Sequence, residues 1–464
     1  MAGIDLTKRA DAYSLYFPSM QVGSAGYVCA APGKWQDHPL PCGLEPKDFN
    51  FLDPSNKFWT YRYALASAEA FKGKKNNAVT TRTSSAFILG DSGGYQVGTG
   101  KFTGAGKLNG LPEEQIIRAW RESPMLAEIT RWCQSHCDYA TTLDIPPRTL
   151  RDGFAGTPFH NCRFETLLKL TIEHLGYLQD NRGRWGSCRF LNVLQGDKPS
   201  QEDAWYRGVK DYHFDGWSLA GGVGVGGGPY RMLNRLLTLR DHGLLGRGFD
   251  WVHVLGLSRL LWAPLVTAMQ MAVRATENEL FTISYDSSNA YMVGGRDEKY
   301  FVPRVLDADY STWTNPGHKF PTGYGNAIEP RAISLTTVFC SGSPCAVCAS
   351  GSQHLPAPLT SPITSMLKIG DLVSVKNKFA RRHVGHFFDQ TIINHNVYVL
   401  IDATIKANDA VFCSHPTAPQ QLVDAVGLIT DRLFQEENWH TALDEHRGAL
   451  EAAVRYKTPA LYRD

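Results

Sequence analysis

Three aspartates and a glutamine stand at equivalent places along this chain. Asp91, Asp144, Gln195 and Asp286 each follow a short β-rich run: Ser85–Leu89, Tyr139–Leu143, Phe190–Leu194 and Phe281–Tyr285. Carboxylates at separate strand ends can converge on one pocket. One can attack an anomeric carbon while a second carries the proton of the leaving group. A third can take hydrogen bonds from the edge of a base, because an ionised carboxylate only accepts. Glycine pairs nearby, Gly93-Gly94 and Gly221-Gly222, let backbone approach a flat ligand. A lone Asp after a strand is ordinarily a cap or turn residue; acids at several equivalent ends point to a site.

A second constellation is Cys340-x4-Cys345-x2-Cys348. The C-x2-C spacing suits a zinc knuckle, and a third Cys with one His completes a tetrahedral structural site. His354, His383, His386 and His395 are all in range, and free loop thiols are the plain alternative. Ten cysteines in all are expected to be thiols and not a disulfide framework in a reducing compartment. A third feature is basic. Lys376, Lys378, Arg381 and Arg382 cluster with His383 and His386. Such runs are commonly solvated faces, but in a nucleic-acid enzyme they grip phosphates.

These residues need a frame. Gly216–Ala220 and Val252–Leu255 are two further β-rich runs, ending at Gly221-Gly222 and Gly256. Helical patterns fall between the runs, over Pro112–Cys137, Phe164–Gln179, Ser200–Tyr212, Tyr230–His242 and Leu260–Thr276. Alternation of this kind predicts a parallel sheet with crossovers. Six such units over roughly 300 residues predict a (β/α)8 barrel in preference to an open sheet, with the site at the C-terminal strand ends. The expected fold class is therefore α/β: a TIM barrel with an inserted or appended zinc-binding subdomain and C-terminal helices. The expected divisions are 1–330 for the barrel, 331–400 for the zinc-binding subdomain and 401–464 for the helical segment.

Composition agrees with a globular protein: 464 residues, 43% hydrophobic and 20% charged. The 47 basic and 45 acidic residues leave a net charge of +2. That excludes a globally basic coat but leaves room for a local basic groove. No window approaches ~18 uninterrupted apolar residues, so no membrane span is expected. The opening MAGIDLTKRADAY has no apolar signal core, so a cytoplasmic protein is expected.

The motifs resemble one family. Asp91-Ser92-Gly93-Gly94-Tyr95-Gln96 looks like the DSGGFQ motif of the tRNA-guanine transglycosylases. In the same order, Thr142-Leu143-Asp144-Ile145-Pro146-Pro147 is similar to FDECPP, Asn192-Val193-Leu194-Gln195-Gly196 to IVQGG, and Leu219-Ala220-Gly221-Gly222-Val223-Gly224 to the start of IGGLAVGE. Val254-Leu255-Gly256-Leu257 is similar to LMGVG, and Asp286 sits where the family has its nucleophile. The resemblance implies base exchange at a guanosine of a nucleic acid. Asp286 would attack C1′ and form a covalent glycosyl-enzyme, with Asp91 as general acid and base. Asp144, Gln195, Gly222 and the backbone around Val223 and Gly256 would read the purine, with Ser92 and Gly93 beside it. The family's structural zinc would fall on Cys340, Cys345, Cys348 and His395, the last in Thr391-Ile392-Ile393-Asn394-His395-Asn396.

Departures from the pattern select a branch. The Pro-Thr-Arg element that follows the nucleophile in tRNA-acting members is replaced by Ser287-Ser288-Asn289, and the cysteine spacing is widened. The chain thus looks most like the DNA-acting, DpdA-type branch, which places 7-cyano-7-deazaguanine in DNA. The expected partners are DNA, a 7-deazaguanine base and other proteins of a DNA-modification system. A queuosine-type tRNA enzyme is the runner-up. Two other readings stand further back. Gly222–Gly227 with Asp241 downstream could be a dinucleotide loop, or the chain could be a non-catalytic nucleic-acid-binding subunit.

Overall fold

Eight parallel strands close into a barrel in the computed structural model, which describes residues 3–30, 40–100, 107–320, 332–336, 357–372, 385–455 and 457. The strands are β1 (Leu15–Met20), β2 (Tyr63–Ser67), β3 (Phe87–Asp91), β4 (Tyr139–Thr141), β5 (Arg189–Leu194), β6 (Gly216–Leu219), β7 (Trp251–Val254) and β8 (Thr282–Ser287). Each pairs with the next in sequence, and β8 returns to β1 with Asp286 opposite Phe17. The barrel expected from the sequence is present. The zinc-binding part is not settled, because Cys340, Cys345 and Cys348 lie outside the described residues. So do Lys376, Lys378, Arg381 and Arg382.

The strands buried on both faces read as near-continuous apolar runs, as parallel sheets require. β1 and β2 escaped that signal. Pro18 interrupts β1, and β2 is Tyr63-Ala64-Leu65-Ala66-Ser67; Pro lacks a ladder donor and Ala is a weak strand former. Among the described residues the helices of seven residues or more are α1 (Glu113–Glu122), α2 (Met125–His136), α3 (Phe164–Asp180), α4 (Pro199–Val209), α5 (Gly228–Asp241) and α6 (Trp262–Thr276), then α7 (Gly385–Phe412), α8 (Gln420–Leu428), α9 (Trp439–Glu445) and α10 (Arg447–Ala453). The single helix expected over 112–137 is two, α1 and α2, broken at Ser123-Pro124, where the proline ring excludes a continuing helix.

α7 packs against α6 and β1 and so takes the place of the eighth barrel helix. It is continuous through residues 400 and 401, where the sequence suggested a division. Buried amides fix it there. Asn394 accepts from Trp59 Nε1 at 3.0 Å, and Asn396 accepts from the Phe301 N–H at 2.7 Å.

Inside the barrel the lower half is aromatic. Trp251 stacks on Phe87 with centroids 5.3 Å apart and lies 4.7 Å from Tyr139; Phe17 meets Tyr63 at 5.3 Å. Each such pair adds about 0.5–1.5 kcal/mol beyond its buried area. Above this floor the interior turns polar. Ser218, His253 and Ser284 occupy one register layer across β6, β7 and β8, and the acids lie above them at the mouth. No helix among the described residues is long and apolar enough to cross a membrane.

Candidate active site

The nucleophile expected from the sequence sits at the C-terminal end of β8. Asp286 is 8% exposed. Its Oδ1 accepts the Gly256 N–H at 2.8 Å and lies 3.3 Å from His253 Nε2. The loop after β7 thus serves the carboxylate directly: Gly256, at φ 75, turns its N–H to Asp286 and not to an open purine edge.

Asp91 ends β3 on another side of the same mouth. The Gly93 N–H donates to its Oδ1 at 3.0 Å. Burial holds the Asp91 carboxyl above its ordinary range, and the negative charge of Asp286 pushes in the same direction; the Gly93 bond opposes both. A carboxyl so placed can carry a proton that an exposed aspartate would lose. The glycines that follow are fixed by geometry. Gly93 adopts φ 83, which favours glycine. At Gly94 a Cβ would stand 2.4 Å from the Asp144 carbonyl oxygen and 2.5 Å from its Oδ1. The Gly-Gly pair is therefore what lets β3 and β4 bring Asp91 and Asp144 together. Ser92 is a tie in the same junction: its hydroxyl donates to the Thr142 carbonyl at 3.1 Å and accepts from Thr141.

Asp144 follows β4 and is buried. Gln195, from the end of β5, donates Nε2 to Asp144 Oδ2 at 2.7 Å. Burial pushes the Asp144 carboxyl up to about 7; the Gln195 bond pulls it down and the Asp91 charge raises it further. A carboxyl near 7 can present a donor or an acceptor to a ligand edge. Its loop is anchored from outside by His174. Trp120 Nε1 donates to His174 Nε2 at 2.8 Å, which leaves the proton on Nδ1 to donate to the Leu143 carbonyl at 3.1 Å. Burial lowers the His174 imidazole to about 4, so it stays neutral.

The glycine-rich turn after β6 closes the base of the mouth. The Gly222 N–H is bonded to the Gly196 carbonyl at 2.7 Å, and Val223 is buried. Gly221, at φ 57, has room only for hydrogen beside Gln195 Oε1 and Gly196. This turn belongs to a closed barrel. Asp241, the acid a dinucleotide loop would need at a second strand end, instead ends α5 and accepts Trp439 Nε1 at 2.7 Å.

His395 lies within α7 and is fully buried. Its Nε2 lies 2.9 Å from the Phe301 carbonyl, while Nδ1 is buried without a partner among the described residues. A zinc-binding histidine commonly donates its second ring nitrogen to a backbone carbonyl in this way. The orphaned Nδ1 fits a metal ligand; the sulfur donors lie outside the described residues. Among the described residues no cluster of three or more metal-ligating side chains is found.

Two residues at the mouth carry no signal by type in the sequence. Tyr95 is 41% exposed, with the Arg148 guanidinium 4.9 Å from its ring and 5.5 Å from that of Phe154; it offers a flat face one turn beyond Asp91. His253 lies below Asp286, where periodicity reads it as core. The arrangement as a whole supplies a held carboxylate, a second carboxyl able to carry a proton, and an Asp–Gln pair suited to hydrogen-bonding a polar ring. A scan against protein-family models finds no match, and no curated protein matches the chain in sequence.

Proposed function

We propose that this protein is a guanine transglycosylase that replaces a guanine in DNA with a 7-deazaguanine, 7-cyano-7-deazaguanine being the expected base. The observation that carries the reading is the difference in surroundings between Asp286 and Asp91 at one barrel mouth. Asp286 Oδ2 attacks C1′; the electron pair of the C1′–N9 bond leaves with guanine, which takes a proton from Asp91. The incoming deazaguanine then gives its N9 proton to Asp91 and attacks C1′, and Asp286 departs. Two inversions give net retention, as in two-carboxylate glycosyl transfer. Asp144 and Gln195 orient the purine, and Tyr95 offers it a stacking face. The target base must leave its stack to reach this depth. A structural zinc held by Cys340, Cys345, Cys348 and His395 would brace the chain between β8 and α7 and would take no part in bond making.

DNA is favoured over tRNA by the segment after the nucleophile. Ser288–Arg296 is wound into a helix and a π-turn, and its arginine, Arg296, is paired with Asp297 at 2.7 Å. An open cleft of about 430 Å³ beside the loops after β7 and β8 presents Arg259 and Arg455, which suits phosphates. The test is to give purified protein 7-cyano-7-deazaguanine with either duplex DNA or a tRNA carrying guanine at the wobble position. Deazaguanine in DNA, falling steeply with salt, is the expected result. Efficient modification of tRNA alone would return the chain to the queuosine branch.

A further inference from the structure

We propose that His253 is a positioning residue for Asp286: a neutral imidazole, protonated on Nε2, that holds one carboxylate oxygen and leaves the other to react. The inference rests on Asp286 being the nucleophile. His253 is fully buried on β7, in register with Ser218 on β6 and Ser284 on β8. Buried polar side chains in a barrel interior cost stability unless they are bonded, and a packed apolar layer would serve the fold better. Three polar residues in one layer directly beneath a carboxylate therefore point to the site above them.

The proton positions follow from the donors. An indole N–H only donates, so Ser284 Oγ must accept from Trp251 Nε1, at 2.7 Å. The Ser284 proton is then free for His253 Nδ1, 2.9 Å away. With the Ser284 proton given to Nδ1, a neutral ring carries its own proton on Nε2, the nitrogen beside a carboxylate that can only accept. Nε2 faces Asp286 Oδ1 at 3.3 Å. It lies off the line of a full hydrogen bond, and no other acceptor among the described residues reaches it. Contacts of this kind are commonly long in a substrate-free protein and tighten along the reaction. With the Gly256 N–H bonded to the same oxygen, Oδ1 has both donors on its side and Oδ2 is left for the substrate. When the glycosyl ester breaks, the charge returning to Asp286 meets two N–H donors already in place.

The experiment reads the ring and the reaction separately. In protein labelled with ¹⁵N-histidine, long-range proton–nitrogen correlation reports the tautomer, and His253→Gln identifies the signal by its loss. Expected is a neutral ring with the proton on Nε2 and an acceptor signature on Nδ1. A proton on Nδ1, or an imidazolium, overturns the proposal. In base exchange, His253→Leu is expected to lose roughly ten- to a hundred-fold in kcat with little change in KM for the base. His253→Gln, whose Nε2 can stand where the imidazole Nε2 stood, is expected to recover most of it. Equal kcat in both variants and the wild type overturns the proposal. The tautomer needs no substrate, so a wild-type protein without exchange activity would sink the transglycosylase reading while the ring is still judged on its own.

Discussion

The β3–β4 side of the barrel mouth and the β7–β8 side hold the same residue type and treat it differently. On the first side a half-buried Asp91 lies near a buried Asp144, and desolvation pushes both carboxyls up. On the second, Asp286 faces a backbone N–H and an imidazole nitrogen on one oxygen. In the proposed reaction, environment and not residue type would divide proton carrier from nucleophile, as it does where paired carboxyls share a site. The sharpest break in this comparison is Asp286→Ala. Exchange of labelled guanine should fall on the order of 10⁴-fold or more, the scale of losing a nucleophile, with the circular dichroism of the fold unchanged. Retained exchange would remove Asp286 from the chemistry.

Gly94→Ala tests the other side through its packing. The new methyl would stand 2.4 Å from the Asp144 carbonyl oxygen and 2.5 Å from Oδ1. One of the two strand ends must move. Overpacking of this kind costs about 1–3 kcal/mol, and a displacement near 1 Å at a site costs roughly a hundred-fold in rate. Urea unfolding and kcat/KM check the two together. Full activity would separate Asp144 from substrate handling and leave the β7–β8 side to act alone.

Asp144→Asn gives a smaller effect with a distinctive pH dependence. The wild-type carboxyl is pushed from 3.8 up to about 7. Between those values the folded protein holds a proton that the unfolded chain has released. Stability contributed by this group is therefore present at low pH and is lost as pH rises through that window. Asn cannot ionise and still accepts from Gln195. The variant should gain on the order of 1–4 kcal/mol over wild type at pH 8 and little at pH 4. Its KM for the base should also lose the change between pH 6 and 8 that a switching carboxyl gives. Parallel pH profiles of stability in the two proteins would show that Asp144 does not carry the proton.

Much of this frame was legible because it rests on local rules. Strands buried on both faces announce themselves as apolar runs, and acids or glycines at their ends mark the mouth. β1 and β2 were hidden by Pro18 and by a short alanine-containing run. Asp91, Asp144, Gln195 and Asp286 were found by position. What sequence could not supply was the third dimension of the partners. His253 looks like any residue of a buried strand; only the register of β7 with β8 puts it beside Ser284 and under Asp286. The resemblance implies that the backbone around Gly256 reads a purine edge, whereas its left-handed turn aims the Gly256 N–H at Asp286.

The same lesson separates two buried histidines behind the site. Burial lowers both His174 and His395 to about 4, and both lie within hydrogen-bond reach of a backbone carbonyl. His174 has Trp120 on its other nitrogen and is complete as a structural residue. His395 has no partner for Nδ1 among the described residues, in a place where an unbonded polar atom costs stability. A metal ion would complete it, with Cys340, Cys345 and Cys348 as the sulfur donors. Metal analysis of the purified protein should then give about one zinc per chain. His395→Asn and Cys345→Ser should each lose it, and chelation should lower the melting temperature of the wild type but not of these variants. The effect on exchange should be the smallest of the set, because a structural metal there would brace the chain and touch no reacting atom. A zinc-free wild-type protein with an undiminished melting temperature would make His395 a second His174 with one bond unmade, and the brace between β8 and α7 would rest on Asn394 and Asn396 alone.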